Sequence, residues 1–210
     1  MDLLLLEESV KQRLSEKRFL HTIGVCKMAE RLGMIFLPDR CMELISAAYL
    51  HDIAKELPEE MLKALIEEYG YTLTESDNFS PQVFHSFAAP AVIIKDFPTL
   101  ATKDILSAVF NHTLGTDSMS LFDEIIFLSD FIEQGRRYDA SVEVRNKLFS
   151  DLSLAKNDTD KLLALHRATL ASIDSTISTL KKRNLHINEK TKKARQYFLN
   201  LIKQENKNEH

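Results

Sequence analysis

Imidazole and carboxylate side chains recur along this chain within segments that are otherwise apolar. His51 and Asp52 are adjacent in "AAYLHDIAKE", at the end of an apolar helical pattern, and Lys55 follows three residues later. The remaining candidates share this apolar setting and lie in other segments: His21, His85, His112 and Asp130. Burying a neutral histidine or an ionised aspartate without a partner costs free energy. Six such residues therefore favour a shared metal ion over six separate polar groups in the core.

The adjacency of His51 and Asp52 fits a site that binds two cations. Neighbouring helical residues point about 100° apart, so both can reach a site beside the end of a helix. The two oxygens of Asp52 can bind two cations, whereas His51 can bind one. We therefore predict that Asp52 bridges two metal ions and acts in catalysis. Lys55 would be a second catalytic residue that places an ammonium near bound phosphate; the alternative is a solvated lysine at a helix end.

The ligand types restrict the metal without identifying it. Nitrogen and oxygen donors without a thiolate suit iron, manganese or zinc. Two further histidines are predicted to be structural: His166, which lies in a long amphipathic pattern, and His186. His210 is a terminal residue.

The segments that must position these residues have the periodicity of helices. Only five Gly and five Pro occur among 210 residues, which excludes an all-β fold and predicts an all-α one. Apolar residues at helical spacing predict helices over residues 18–33, one ending at His51, and 58–69, 80–96, 102–112, 118–132, 139–150, 159–183 and 188–204. The segment 69–82 has the composition of a loop. We predict one domain over residues 1–205 and a disordered tail over 206–210.

The charge distribution bears on the class of partner. A formal net charge of −4 argues against a dedicated nucleic-acid-binding protein, so small molecules are the expected partners. Residues 181–210 hold nine Lys or Arg and three Glu. These cations are interpreted as the solvated face of a terminal helix. The alternative is a role in attracting an anionic substrate.

The apolar run at residues 3–6 and the two cysteines bear on location. The run is too short for a signal peptide or a membrane span, which predicts a soluble protein without a membrane partner. Cys26 and Cys41 are expected to remain thiols, which points to the reducing cytoplasm. The oligomeric state is left open, with a homodimer as one option.

Longer segments resemble a known family. The stretches "KRFLHTIGV", "AAYLHDIAKE", "FHSFAA", "ILSAVFNHTLGTDSMSLFDEIIFLSDFIEQGR" and "LHINEKTKKAR" resemble the YqeK family of symmetrical bis(nucleosyl)-tetraphosphatases, a branch of the HD-domain phosphohydrolase superfamily. The similarity extends from about residue 8 to about residue 200. Its His-Thr-x-Gly and Asp-x-Ile-Glu-x-Gly-Arg segments go beyond the ligands that the superfamily shares. Departures at Leu114, Ser129 and Gln134 remove no ligand.

The resemblance implies an HD-type helical bundle with two irons that cleaves diadenosine tetraphosphate into two ADP. It implies that the ligands of one iron are His21, His51, Asp52 and Asp130. It implies that the ligands of the other are Asp52, His85 and His112. Manganese or zinc could replace iron on ligand chemistry alone.

Several cations and a hydroxyl near these ligands are candidates for binding the polyphosphate. Lys55 and Arg136 are the leading candidates and Arg18 is a third, because guanidinium matches phosphate oxygens and ammonium adds a point charge. Thr113 could donate a hydrogen bond, and Arg137 is predicted to be an exposed neighbour.

Two alternative functions remain at this stage. Another HD-type hydrolase would use the same metals on nucleotide monophosphates or guanosine alarmones. A non-catalytic nucleotide-sensing module would be expected to lack ligands, whereas here all six positions are filled.

Overall fold

The computed structural model describes residues 2–208, and every regular element in that range is helical. The α-helices are α1 (Leu3–Lys11), α2 (Glu16–Phe36), α3 (Cys41–Leu50), α4 (Glu59–Glu68), α5 (Glu75–Asn78), α6 (Phe84–Asp96), α7 (Lys103–Asn111), α8 (Leu121–Ile132), α9 (Asp139–Leu154), α10 (Asp158–Lys182) and α11 (Glu189–Asn208). Short 3-10 helices precede three of them, at Pro38–Arg40, Pro81–Val83 and Pro98–Leu100. The predicted all-α class is confirmed.

Five central helices pack around the main hydrophobic core. Helix α2 lies against α3 and α8, and α7 lies against α3, α6 and α8. Large side chains from four of these helices are fully buried there, among them Leu32, Leu50, Phe87 and Ile125. Fully burying a side chain of this size stabilises the fold by about 1.5–3 kcal/mol. The same five helices supply the candidate ligands.

Side-chain caps fix where the central helices begin. The hydroxyl of Ser15 accepts the backbone N–H of Arg18 at the start of α2, and Thr102 does the same for Ile105 in α7. Ser120 and Asp123 form a capping box at the start of α8. Each such cap contributes about 1 kcal/mol.

The N-terminal half differs from the predictions in three places. The helix predicted over 80–96 starts at Phe84, because residues 81–83 form a 3-10 turn. The segment predicted as a loop contains the four-residue helix α5, which is too short to show a periodicity. Helix α1 was not predicted, although Leu6 and Val10 are buried on the core.

The C-terminal helices form a second layer. Helix α10 packs against α8, α9 and α11, and Phe127, Ile173 and Phe198 are in a smaller core there. Helix α11 continues to Asn208, so the predicted tail begins within this helix, while residues 209 and 210 lie outside the described range. None of the described helices combines the length and apolarity needed to cross a membrane.

Candidate metal centre and active site

The six predicted ligands come from five helices, or the turns that directly follow them, and converge on one point. They are His21 in α2, His51 and Asp52 after α3, His85 in α6, His112 after α7, and Asp130 in α8. Directly after α3 the chain continues as tight turns, in which the backbone N–H of Lys55 donates to the carbonyl of Asp52 at 2.9 Å. This turn brings His51, Asp52 and Lys55 to the same site.

Asp52 lies at the centre of the cluster, with its two oxygens facing different pairs of histidines. Its Oδ2 is 3.4 Å from Nε2 of His51 and 3.9 Å from Nε2 of His21. Its Oδ1 is 3.3 Å from Nε2 of His85 and 3.7 Å from Nε2 of His112. Each oxygen of this carboxylate therefore faces two imidazole nitrogens.

The four imidazoles share one orientation, in which Nδ1 faces an oxygen and Nε2 faces the centre. The Nδ1–oxygen pairs are His51 with Ala48 O at 2.6 Å, His112 with Val109 O at 2.6 Å, His85 with Gln82 O at 3.0 Å, and His21 with Glu133 Oε1 at 3.2 Å. Donation from Nδ1–H leaves the lone pair on Nε2 for another partner. Metal-binding histidines are commonly fixed in this way.

The unsatisfied atoms of the cluster fit a metal ion. Nε2 of His51 is buried without a hydrogen bond, which is costly unless another group binds it. Nε2 of His21 faces the carboxylates of Asp130 and Asp52, which are themselves candidate ligands. The candidate ligand atoms of His21, His51 and Asp130 lie within 4.8 Å of one another, and so do those of His51, Asp52 and His112. Nε2 of His85 is 3.3 Å from that of His112. The cluster is therefore able to hold a metal, with nitrogen and oxygen donors suited to a transition metal.

The two aspartates are ionised at neutral pH. Burial alone would raise the pKa of Asp52, but the neighbouring His51 and the imidazoles of His112 and His85 hold it well below its ordinary value. Burial likewise acts to raise the pKa of Asp130, and the hydrogen bond from His21 and the charge of Arg136 hold it well below the ordinary value. Both carboxylates are thus available as anionic ligands.

The pKa of the candidate ligand His21 is raised by neighbouring carboxylates. Burial would lower the pKa of His21, but hydrogen bonds to Asp130 and Glu133 raise it to about 9. Its Nε2 lies 2.9 Å from Oδ1 of Asp130. Because a metal ligand must be unprotonated, a cation at this position competes with a proton.

Three predicted phosphate-binding cations contact the ligands directly. Arg18 Nη1 is 2.8 Å from Oδ2 of Asp52. Arg136 Nη2 is 2.6 Å from Oδ1 of Asp130, and its Nε donates to the carbonyl of Asp130 at 3.1 Å. Nζ of Lys55 is 3.2 Å from both ring nitrogens of His85. Two guanidinium groups therefore contact the carboxylates of the cluster, and the ammonium of Lys55 contacts His85.

Thr113 contacts two histidines of the cluster, and Arg137 lies in the cleft beside it. The hydroxyl of Thr113 is 3.0 Å from Nε2 of His112 and 3.4 Å from Nε2 of His85. Arg137 is exposed. It lines a cleft of about 1030 Å³ that opens beside His21 and is also lined by Arg18 and Arg136.

Sequence reasoning missed Glu133 as part of the site. Its side chain is buried, accepts the Nδ1–H of His21, and accepts the backbone N–H of Gly135. Arg145 of α9 donates to the carbonyls of Ile132 and Glu133 at 2.9 and 2.7 Å, which fixes the end of α8. The available signal was the position of Glu133 three residues after Asp130, which places both near one face of a helix.

The histidines that were predicted to be structural lie outside the cluster. Nδ1 of His166 is 2.9 Å from Oε2 of Glu124, and Nε2 of His186 is 2.9 Å from the hydroxyl of Ser76. His210 lies outside the described residues.

Comparison with known proteins agrees with this geometry. The family model of the HD domain matches residues 18–135, a range that contains all six candidate ligands. The symmetrical bis(5′-nucleosyl)-tetraphosphatase of Bacillus subtilis (strain 168) is 32% identical over 175 residues, 83% of this chain and 86% of that protein. The protein of the same name from Halalkalibacterium halodurans is 32% identical over 177 residues, 83% of this chain and 85% of that protein.

A solved structure extends the likeness to the fold. The crystal structure of an HD superfamily hydrolase from Clostridium acetobutylicum, described as involved in NAD metabolism, superposes with a TM-score of 0.80 at 28% identity. The match covers 95% of this chain and 98% of that chain. On the matched domain and the identity to full-length relatives, this chain belongs to the HD domain family, in the branch of the symmetrical bis(5′-nucleosyl)-tetraphosphatases.

Proposed function

We propose that this chain is a metal-dependent phosphohydrolase that cleaves diadenosine tetraphosphate symmetrically into two ADP. The observation that carries the proposal is the position of Asp52, because each of its two oxygens faces two histidine Nε2 atoms. Arg18 contacts the same carboxylate. The names of the relatives support the choice of substrate.

The ligand cluster would hold two divalent transition-metal ions. The proposed ligands of the first are His21, His51, Asp52 and Asp130, and those of the second are Asp52, His85 and His112. Iron is the proposed metal, with manganese and zinc as the alternatives that the same donors accept. Two such ions would supply Lewis acidity toward phosphate oxygens and lower the pKa of a water molecule.

The cations of the chain would bind the polyphosphate. Arg18 and Arg136 approach Asp52 and Asp130 from the side of the cleft, so their remaining N–H groups can bind phosphate oxygens there. Lys55 lies at His85, in the second half of the cluster. It would donate to the oxygen on which negative charge develops as the central bridge breaks. Thr113 would add a hydroxyl donor beside His112.

The cleft beside His21 suits one nucleoside half of such a substrate. Its volume of about 1030 Å³ is in the range of ligand-binding sites. Two exposed apolar side chains line it: Tyr138 is 72% exposed and Leu20 is 63% exposed. An aromatic ring at this rim can stack on a base while the arginines bind the phosphates.

The proposal includes a location and a partner class. Cys26 and Cys41 are free thiols, as expected for a cytoplasmic protein. The proposed partner is a small nucleotide rather than a nucleic acid or a membrane, and the protein could act as a homodimer.

Product analysis tests the reaction. Purified protein loaded with iron, manganese or zinc is incubated with diadenosine tetraphosphate, a nucleoside monophosphate or a guanosine alarmone, and the products are separated by chromatography. We expect ADP alone from the dinucleotide. In heavy-oxygen water, one ADP of each pair should carry the label on its terminal phosphate. ATP plus AMP, or release of phosphate from monophosphates with the dinucleotide left intact, would place the chain in another branch of the family.

A further inference from the structure

Glu133 is buried between two glycines that have no room for a side chain. A Cβ atom at Gly24, in α2, would overlap the carboxylate of Glu133. A Cβ atom at Gly135 would come within 2.9 Å of Oε2 and 3.0 Å of Oε1. The carboxylate therefore occupies a cradle that exists because residues 24 and 135 are both glycine.

His21 differs from the other three histidines in what orients it. Nδ1 of His51, His85 and His112 faces a main-chain carbonyl three residues earlier in each case. Nδ1 of His21 instead faces the side chain of Glu133, which comes from a distant part of the sequence. The orientation of this one ring thus depends on where a carboxylate is held.

Both oxygens of that carboxylate are used. Oε1 is 3.2 Å from Nδ1 of His21, and Oε2 accepts the backbone N–H of Gly135. Arg145 holds the main chain of Glu133 through its carbonyl at 2.7 Å. The carboxylate is consequently fixed in position and rotation by contacts on each side.

We propose that Glu133 is a positioning residue for His21, and that Gly24 and Gly135 are required as glycines because they admit its carboxylate. The inference rests on the metal centre of the proposed function and adds a residue that acts through a ligand. It also explains why two sequence segments occur together: Gly24 belongs to His-Thr-x-Gly, and Glu133 and Gly135 belong to Asp-x-Ile-Glu-x-Gly-Arg.

The proposal predicts an effect limited to one half of the centre. Displacing Glu133 leaves the Nδ1 contacts of His85 and His112 intact, because those contacts lie within or next to their own helices. The metal bound through His21 should therefore be weakened, while the metal bound through His85 and His112 should be retained.

The test uses Gly24→Ala and Glu133→Ala, with Gly33→Ala as the matched control. Gly33 lies in the same helix, and a Cβ there meets the end of the Leu44 side chain at 2.9 Å and Sγ of Cys41 at 3.1 Å rather than Glu133. Metal per chain is measured by elemental analysis during titration with a chelator. We expect both test variants to bind one of the two metals about 10- to 100-fold more weakly. Gly33→Ala should match the wild type.

Two further variants separate positioning from a general structural role. Glu133→Gln keeps an acceptor for His21 but turns an amide N–H toward Gly135, so its metal loss should be smaller than that of Glu133→Ala. If Gly24 acts through Glu133, the double variant should bind metal no more weakly than Glu133→Ala alone. Thermal unfolding of the metal-free proteins checks that the fold is kept.

Several outcomes would overturn the inference. Wild-type metal binding in a folded Gly24→Ala protein would do so, as would additive losses in the double variant. Equal weakening of both metals would also contradict it. A wild-type protein that binds two metals but leaves diadenosine tetraphosphate intact would refute the proposed reaction and leave this inference standing, whereas a wild type that takes up no metal would refute both.

Discussion

His51 and His166 are both buried histidines beside a carboxylate, yet their ring nitrogens have different partners. Nδ1 of His166 is 2.9 Å from Oε2 of Glu124, and its Nε2 is 3.5 Å from Oε1 of Glu205. Nδ1 of His51 donates to a carbonyl, but its Nε2 is buried without a hydrogen bond. One ring has protein partners on both nitrogens, and the other has a lone pair that nothing in the described chain binds.

The contrast separates a structural cluster from a binding cluster. The carboxylate of Glu124 also accepts the hydroxyl of Thr169 at 2.8 Å, so His166 and Glu124 are both bound by protein groups. Around Asp52, four Nε2 atoms converge and positive side chains come from outside the ligand set. Burial and residue type are similar in both places, whereas of the two it is the cluster around Asp52 in which imidazole nitrogens converge on one point.

The largest expected effect is at the centre of the metal cluster. Asp52→Asn keeps the shape of the side chain but removes the charge that two cations would share, so both metals should be lost. Activity should fall by more than about 10³-fold, beyond the loss from removing one donor to a transition state. Elemental analysis and product formation measure the two effects. His51→Ala should also release metal.

The matched change in the other cluster is Glu124→Gln. Because Glu124 contacts His166 and Thr169 and none of the ligands, metal content and activity should remain at the wild-type level. A loss of metal in this variant would remove the distinction between the two clusters.

The cations of the site should affect rate without affecting metal. Lys55→Ala and Arg136→Ala remove groups proposed to bind developing charge, so turnover should fall by about 10²-fold while metal is retained. Lys27→Ala is the control, since this exposed lysine of α2 does not line the cleft. Wild-type rates in both variants would mean that these cations do not act on the substrate and only contact Asp130 and His85.

The rim of the cleft should affect binding alone. Tyr138→Ala removes the exposed ring proposed to stack on a base, which should raise KM about tenfold and leave kcat unchanged. Tyr138→Phe should behave like the wild type. Leu154→Ala, at another exposed apolar residue, is the control for surface effects. Hydrolysis of inorganic tripolyphosphate, which has no base, should be insensitive to Tyr138→Ala, if the enzyme accepts it.

The smallest effect concerns stability and pH in the His166 cluster. Burial acts to lower the pKa of His166, but the hydrogen bond and charge of Glu124 raise it above the ordinary value of 6.5. A raised folded-state pKa stabilises the fold below that ordinary value, and the contribution disappears as pH rises through the folded-state pKa.

His166→Gln tests this sign. The variant should be less stable than the wild type by about 1 kcal/mol at pH 5.5, and the difference should shrink on going to pH 9. Chemical denaturation at several pH values measures it. A deficit that grows with pH would show that His166 is buried as a neutral ring.

The sequence indicated the residues that meet in the cluster better than the residues that support them. His21, His51, His85 and His112 were recognisable because a polar ring in an apolar helical segment is unusual. Glu133 was missed because an acidic residue near the end of a helix is common and gives no comparable signal. Its role depends on contact with Gly24, more than a hundred residues earlier in the chain, and such contacts are not visible in local periodicity.

Short helices were not predicted for a similar reason. Helix α5 has four residues, and its existence depends on Thr74 and Asp77 bonding each other's backbone rather than on an apolar pattern. The long helices α2, α8 and α10 were predicted within a few residues of their bounds, because each buries a continuous face.

The Nδ1 contacts of His51 and His112 have a consequence for how the site forms. Each histidine directly follows a helix and bonds a carbonyl of its own last turn, a group that the helix leaves without a partner. These two rings can therefore lose their rotational freedom as soon as α3 and α7 form, before the helices meet. The two side chains then lose much of their conformational entropy during folding rather than when a metal binds. Less of the metal-binding free energy is needed to order them, so the affinity for the metal is higher.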